Sequence, residues 1–183
     1  MQESIIRYLV NDAEADVTPV GGQHGCAPNA ACKGSAPEMV KLIIEEGTET
    51  DVKDGMGRVA IHFAAARSPR NLQLILIAGA DIEVKDRMGR TAIHWAVIGG
   101  QIDVVERVLA LSRGLVDQAD IDGWTPLLWA AKGCGTYVKP ATSWTQEKII
   151  TLLLDRGADP CIMGKGIRSR VVTCESCEVP WGR

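Results

Sequence analysis

The residues best placed to do chemistry are two histidines, a cysteine pair and a set of recurrent aspartates. His62 and His94 stand in matching contexts, Ile-His-Phe-Ala and Ile-His-Trp-Ala. A shared zinc would need His–metal bonds of ~2.0–2.1 Å, whereas packed helices hold equivalent residues roughly 10 Å apart. The pair therefore reads as structural. The next matching position is Leu128, which no chemistry common to all copies would tolerate. His24 lies in a glycine-rich turn and carries no pattern. Cys174-Glu175-Ser176-Cys177 has ligand spacing but supplies two of the four ligands that tetrahedral zinc takes. The other cysteines, at 26, 32, 134 and 161, are too unevenly spaced for a disulfide framework and read as free thiols. Gly133-Cys134-Gly135 follows no strand pattern, and Gly164-Lys165-Gly166 lacks the spacing and terminal Ser/Thr of a phosphate loop. Asp54, Asp86, Asp120 and Asp122 recur at turns, where carboxylates accept backbone N–H bonds, and read as solvated turn formers. No Ser/His/Asp or Cys/His arrangement assembles, so the chain reads as no enzyme.

What positions these residues is an internal repeat. DRMGRTAIHWA from Asp86 lies over DGMGRVAIHFA from Asp54 and DIDGWTPLLWA from Asp120. Gly57, Gly89 and Gly123 are separated by 32 and 34 residues, as are Ala64, Ala96 and Ala130. A weaker copy precedes them, with Ala30 placed 34 residues before Ala64. Each copy opens on an Asp-x-x-Gly turn and continues into a small-sided segment such as Ala60-Ile61-His62-Phe63-Ala64. A segment with apolar residues at helical spacing follows, such as Ile102, Val104, Val105, Val108 and Leu109. Gly79-Ala80-Asp81 and Gly157-Ala158-Asp159 close their units, the glycine supplying the positive φ that ends a helix. One such helix pair cannot bury its own apolar faces, but a stack can.

Thr91-Ala92-Ile93-His94-Trp95-Ala96 and Thr125-Pro126-Leu127-Leu128-Trp129-Ala130 resemble the T-P-L-H-x-A signature of ankyrin repeats, whose period is about 33. Leu152-Leu153-Leu154-Asp155-Arg156-Gly157-Ala158-Asp159-Pro160 resembles the family's second helix and exit. The resemblance covers roughly residues 1–162. It implies an all-α solenoid with hairpin-like fingers, and a histidine that holds the turn by hydrogen bonds. The stretch from Gly21 to Glu45 resembles the variant of large fungal arrays, except that Pro28 stands where an apolar residue is usual. Proline fits only the first turn of a helix. The expected organisation is a partial repeat over 1–18 (outer helix only), a degenerate repeat over 19–53 and repeats over 54–85 and 86–119. A repeat with an inter-helix insertion over 120–162 and a tail over 163–183 complete it. The absent cap before Ile5 suggests a fragment of a longer array.

The tail, Val171-Val172-Thr173-Cys174 to Cys177 and on to Gly182-Arg183, resembles the opening of a ZZ-type zinc finger. The resemblance makes Cys174 and Cys177 metal ligands of an incomplete site. No cofactor is expected, zinc entering only if the finger is completed. The insertion at 134–144 reads as an enlarged loop or as a side contact made by Tyr137 and Trp144.

The strongest binding signal is an aromatic stripe. Phe63, Trp95 and Trp129 fill the variable position before the small alanine, and Arg58, Arg90 and Trp124 the variable position after the turn glycine. In ankyrin folds such positions resemble those lining the concave face and fingers. Trp and Arg are the residues richest in interface hot spots. The rings either face a partner or cover one another between repeats.

Composition bounds the reading. The 183 residues carry 20 Lys+Arg against 23 Asp+Glu, a formal charge of −3, with 46% hydrophobic and 23% charged residues. That is a globular balance without the basic excess of a nucleic-acid binder. No run approaches the ~18–20 apolar residues of a membrane span. The expectation is an intracellular protein, cytoplasmic or nuclear, binding a protein partner through the concave face and fingers. It binds neither nucleic acid nor membrane, and is a monomer or a fragment of an array. Two alternatives stand beside it: a zinc-dependent adaptor positioning a ZZ-type finger, and a structural spacer within a larger array.

Overall fold

A computed structural model describes residues 25–34, 36–132 and 143–164. The partial repeat over 1–18, Tyr137 and both tail cysteines lie outside the described residues. Eight α-helices are described. They are α1 Ala27–Gly34, α2 Pro37–Glu45, α3 Ala60–Arg67, α4 Pro69–Ile77, α5 Ala92–Ile98, α6 Ile102–Leu111, α7 Pro126–Lys132 and α8 Ser143–Asp155. A single 3-10 turn, Arg113–Leu115, follows α6. No strand occurs among the described residues.

The helices pair in chain order, α1 with α2, α3 with α4, α5 with α6 and α7 with α8. The first members stack as one layer, α1·α3·α5·α7, and the second members as another, α2·α4·α6·α8. This is an all-α solenoid. Helix identity follows from side-chain size. Every residue from Ala60 to Ala66 and every residue of α5 is buried, so these helices are enclosed on all sides and the abundance of alanine lets them approach closely. The outer helices are amphipathic: α6 buries Val104, Val105, Val108 and Leu109 and leaves Asp103 and Glu106 in solvent. Ile61, Ile93 and Leu127 from the inner layer meet Leu72, Ile75, Leu109, Ile149 and Leu153 from the outer layer in one continuous core.

Local signals set the helix ends. Ser68 Oγ accepts the Asn71 N–H at 3.3 Å, with Pro69 opening α4, where its missing N–H costs nothing. After α4 the Ala80 N–H donates to the Ile75 carbonyl at 3.2 Å, and after α8 the Ala158 N–H donates to Leu153 at 2.9 Å. Both are the closing bonds of a glycine-terminated helix. In the degenerate copy α1 forms with Pro28 at its second position, inside the first turn.

Candidate interaction site at the turn fingers

Between each outer helix and the next inner helix the chain makes a tight finger, and the fingers stack. Asp54, Asp86 and Asp120 each donate their backbone N–H to the carbonyl four residues on, at 2.9, 3.0 and 3.0 Å. Successive fingers are joined through the backbone: Arg87 N–H to Met56 carbonyl at 2.9 Å, and Ile121 N–H to Met88 carbonyl at 2.9 Å. Glycine is needed where they meet. Gly89 has φ +73°, and a Cβ there would come within 3.1 Å of Ile121 N and Ile121 Cγ2. The finger tips carry exposed apolar side chains, Met56 at 46% and Ile121 at 51% of full exposure.

Each finger is built on its aspartate. One carboxylate oxygen accepts the N–H groups two and four residues on: Met56 and Arg58 onto Asp54, Met88 and Arg90 onto Asp86, Asp122 and Trp124 onto Asp120, all at 2.8–3.0 Å. The three aspartates are buried, which corrects the expectation of solvated turn formers. Their oxygens are enclosed because they hold the turn and its neighbours at once. Asp122 alone of the four is exposed.

The second carboxylate oxygen distinguishes the copies. Arg58 donates to Asp54 Oδ2 through Nε at 2.8 Å, with its terminal nitrogen at 2.7 Å. Asp86 Oδ2 accepts both Arg90 Nε at 3.0 Å and the indole N–H of Trp95 at 3.1 Å. Asp120 Oδ2 accepts the indole N–H of Trp129 at 3.0 Å. Trp124 stands in the arginine position of this copy, and no Lys or Arg of the described residues lies within ion-pair distance of Asp120. Burial by itself would raise the Asp54 carboxyl. The hydrogen bonds from Arg58 and Met56, with the Arg58 charge, outweigh it and hold the group below its usual range.

The arginines also cap the rings. The Arg58 guanidinium lies 4.7 Å from the Phe63 ring centre and 5.6 Å from that of Trp95, and Arg90 lies 4.6 Å from Trp95 on its own account. Phe63 and Trp95 are consequently only 6% and 5% exposed. This corrects the expectation of bare rings facing a partner: inside the stack they are covered by guanidiniums and, for Trp95, tied to Asp86. The fourth copy differs. Trp124 and Trp129 are half-buried, with ring centres 5.5 Å apart and planes tilted by 48°. The ammonium of exposed Lys132 lies 4.7 and 5.1 Å from their centres.

The histidines are structural, as read from the sequence. His62 Nδ1 accepts the Val59 N–H at 3.0 Å, and His94 Nδ1 accepts the Thr91 N–H at 3.2 Å. Nε2 must therefore carry the proton, which it donates at 3.2 Å to the Val84 and Trp124 carbonyls respectively. Each imidazole bolts its helix start to the following finger. Burial lowers both pKa values, that of His94 to about 4, so both are neutral near pH 7. In the degenerate copy Asn29 substitutes, its amide donating to the Val52 carbonyl at 3.1 Å.

Two features escaped the sequence reading. One is the exposure of Met56 and Ile121, which the Asp-x-x-Gly turn gave reason to place at finger tips. The other is the aspartate network, whose signal was present as Asp54/Arg58 and Asp86/Arg90 four apart. Trp144, expected in the inter-helix insertion, instead lies in the first turn of α8; it is 58% exposed, with the Lys148 ammonium 4.1 Å from its ring centre. It lines an open groove with Ile102, Glu106 and Leu152. Among the described residues no group of three or more His, Cys, Asp or Glu side chains is placed to hold a metal ion, and no helix is long and apolar enough to cross a membrane.

Comparison with known proteins agrees with this geometry. A curated fungal relative, the ankyrin repeat domain-containing protein SAT10 of Stachybotrys chartarum, is 33% identical over 130 residues. The match takes in 68% of this chain but 7% of that protein, so the chain spans a small part of its relative's length. The crystal structure of an ankyrin repeat domain from Acinetobacter baumannii AYE superposes with a TM-score of 0.71 at 23% identity. That superposition covers 90% of this chain and 80% of that one. The family model for ankyrin repeats in three copies matches residues 62–163, more than half of the sequence, and the chain belongs to the ankyrin repeat family.

Proposed function

We propose that the chain is a binding module, not an enzyme, that takes a protein partner across its finger tips and the adjoining concave face. Ankyrin repeats are in general protein–protein interaction modules. The observation that carries the reading here is the finger row itself. Met56 and Ile121 are exposed apolar side chains held on backbone-bonded fingers, and Ile121 shares its finger with the half-buried Trp124. A rigid scaffold bearing exposed apolar and aromatic side chains loses little entropy when a partner covers them. Arg58 and Arg90, each on a buried carboxylate, supply polar edges to the surface. Phe63 and Trp95 serve beneath it, as the support on which the arginines lie.

The test is a pair of charge insertions, Met56→Asp and Ile121→Asp, in cross-linking or pull-down against a candidate partner. Both positions are exposed, so folding should survive, while affinity should fall at least tenfold. Unchanged affinity in both variants would remove the fingers from the interface. Binding on this reading needs no metal, so a chelator should leave it intact. Loss of binding under chelation would instead favour the zinc-dependent adaptor that Cys174 and Cys177 suggest. A chain whose partners all contact neighbouring repeats would be the structural spacer.

A further inference from the structure

We propose that the groove between the chain exits of α2 and α4, together with the exposed Ile77 and Leu111 at the ends of α4 and α6, docks a basic and aliphatic segment of a protein partner. This surface shares no residue with the finger tips and does not depend on the finger reading.

The groove lies between two loops that leave outer helices. Its volume is about 490 Å³, and it is lined by residues 47–51 after α2 and 78–81 after α4, with Ile44. Ile44 and Ala80 are half-buried and Ala78 is exposed, which gives the groove an apolar share. The space beside both loops is open: a Cβ built on Gly47 or Gly79 would meet nothing within 4 Å. Ile77 adjoins the groove in the chain and is 75% exposed, the highest value of any large apolar side chain among the described residues. Leu111 likewise ends its outer helix and is 58% exposed. Helices α4 and α6 pack on one another, at an interaxial distance of roughly 10 Å. Ser112 Oγ donates to Glu83 Oε1 at 2.7 Å, so the exit of α6 is tied to the loop that walls the groove. Single apolar residues are ordinary on a surface, but one repeat position that keeps two of them exposed in neighbouring copies makes a patch.

Charge selects the occupant. Exposed Glu49, Asp51 and Asp81 line the groove, and none of its described lining residues is a Lys or Arg. Among the described residues no Lys or Arg lies within ion-pair distance of these three carboxylates. Nor is any group of three His, Cys, Asp or Glu side chains among the described residues placed to hold a metal ion. The groove carboxylates therefore suit cations spaced along a chain, not one inorganic ion. At the far end of the patch exposed Arg113 follows Leu111 by two residues and reverses the sign. A partner segment is thereby oriented, with its lysines or arginines over the groove and its aliphatic side chains over Ile77 and Leu111. The cations relieve the repulsion among the three carboxylates, and the aliphatic contact removes apolar surface from water.

The experiment titrates the intact chain with an acetylated, amidated peptide that carries lysines at one end and leucines spaced by serines at the other. Versions with glutamate for lysine and with serine for leucine serve as comparators. Backbone amide resonances of 48–51 and 78–81 and the methyl resonances of Ile77 and Leu111 are followed by NMR. The lysine–leucine peptide should shift both sets saturably, and each comparator should bind about fivefold more weakly or worse. Glu49→Gln, Asp51→Asn and Asp81→Asn, made together, keep the side-chain shapes. Asp81→Asn also keeps an acceptor for the Glu83 N–H, which the carboxylate binds at 2.8 Å. That variant should fold and lose about fivefold in affinity. Ile77→Ser with Leu111→Ser should lose about threefold. Asp103→Asn with Asp122→Asn, which neutralises exposed acids outside the groove, should change nothing. The absence of a saturable shift, equal binding of the glutamate peptide, or unchanged affinity in the groove variant overturns the proposal. So does an equal loss in the Asp103/Asp122 variant. These outcomes are separate from the finger test. A peptide response abolished by Met56→Asp or Ile121→Asp overturns the groove by moving the contact to the fingers. A response retained in both supports the groove, whether or not those variants lose the partner.

Discussion

At the scale of single residues, burial decides what each side chain does, and three substitutions test it. Trp95 is enclosed by two guanidiniums and bonded to Asp86. Trp95→Ala should therefore cost about 3–5 kcal/mol of folding stability in chemical denaturation, the range for truncating a buried aromatic. Asn71 is a different case. It is fully buried at the position that Val104 fills one copy later, and neither its amide nitrogen nor its amide oxygen has a hydrogen-bond partner. An unsatisfied buried polar group costs about 1–3 kcal/mol, so Asn71→Val should raise the melting temperature. His94 links folding to pH. Its native pKa of about 4 lies below the ordinary histidine value of 6.5 because burial penalises the charged form. Between these values the unfolded chain binds the proton and the native chain does not, so stability falls as pH drops from about 6.5 to 4. At 1.36 kcal/mol per pH unit this amounts to roughly 2 kcal/mol by pH 5, and His62 acts in the same direction. Asp54, with its carboxyl held low, adds a loss only below its ordinary pKa of 3.8. His94→Leu should flatten the upper window, since the fourth copy shows how leucine is accommodated there. In that copy the Leu128 N–H donates to Thr125 Oγ1 at 3.3 Å, and Thr91 offers the same hydroxyl. A urea midpoint measured at pH 7 and pH 5 for both chains checks the pair.

At the scale of elements, the period near 33 made the helix pairs legible, because apolar spacing and glycine exits are local signals. The histidine role and the place of Pro28 could be read for the same reason. The state of the aromatic stripe could not. A variable position tells nothing of whether its ring is covered, and what covers Phe63 and Trp95 is an arginine from another part of the finger. Burial of the turn aspartates was hidden similarly, since it depends on the next repeat closing over them. Close helix approach was also beyond sequence reading. Gly99 ends α5 with an ordinary helical φ of −79°, so no backbone demand singles it out. A Cβ there would nevertheless run into the carbonyl group of Ala66 at the end of α3. Gly99→Ala should therefore destabilise by prising two inner helices apart, although alanine is in general a better helix former than glycine at a helical φ. Gly114, around which nothing lies within 4 Å, is the control: Gly114→Ala should leave the melting temperature within a degree or two.

At the scale of the whole molecule, stability depends on how many neighbours each unit has. In a stacked array it is approximately a sum of unit terms and nearest-neighbour interface terms. The inner helices record this. Helix α5 packs between α3 and α7, and α3 between α1 and α5, with essentially every residue buried. In α7 the side chains of Ala131 and Lys132 are exposed and Trp129 is half-buried, while α1 leaves Ala30 and Gly34 in solvent. Polar interface bonds follow the same order: the fingers from Asp54 to Asp120 are joined by Arg87–Met56 and Ile121–Met88, and both His62 and His94 reach forward to the next turn. Opening α3 or α5 breaks two interfaces and several buried polar bonds at once. Among the described residues α1 stacks in the inner layer on α3 and α7 on α5, so opening either breaks fewer of these contacts. Native-state hydrogen exchange should consequently be slowest over residues 61–66 and 93–98, approaching the global unfolding free energy, and faster over 29–34 and 127–132. Gly99→Ala should reduce protection in both central helices together, because they share the strained contact. Uniform protection from α1 to α7 would mean that the array opens only as a whole. Fast exchange confined to α3 or α5 would mean that their burial does not translate into stability, and the finger surface they support would then lack the rigidity that partner binding requires.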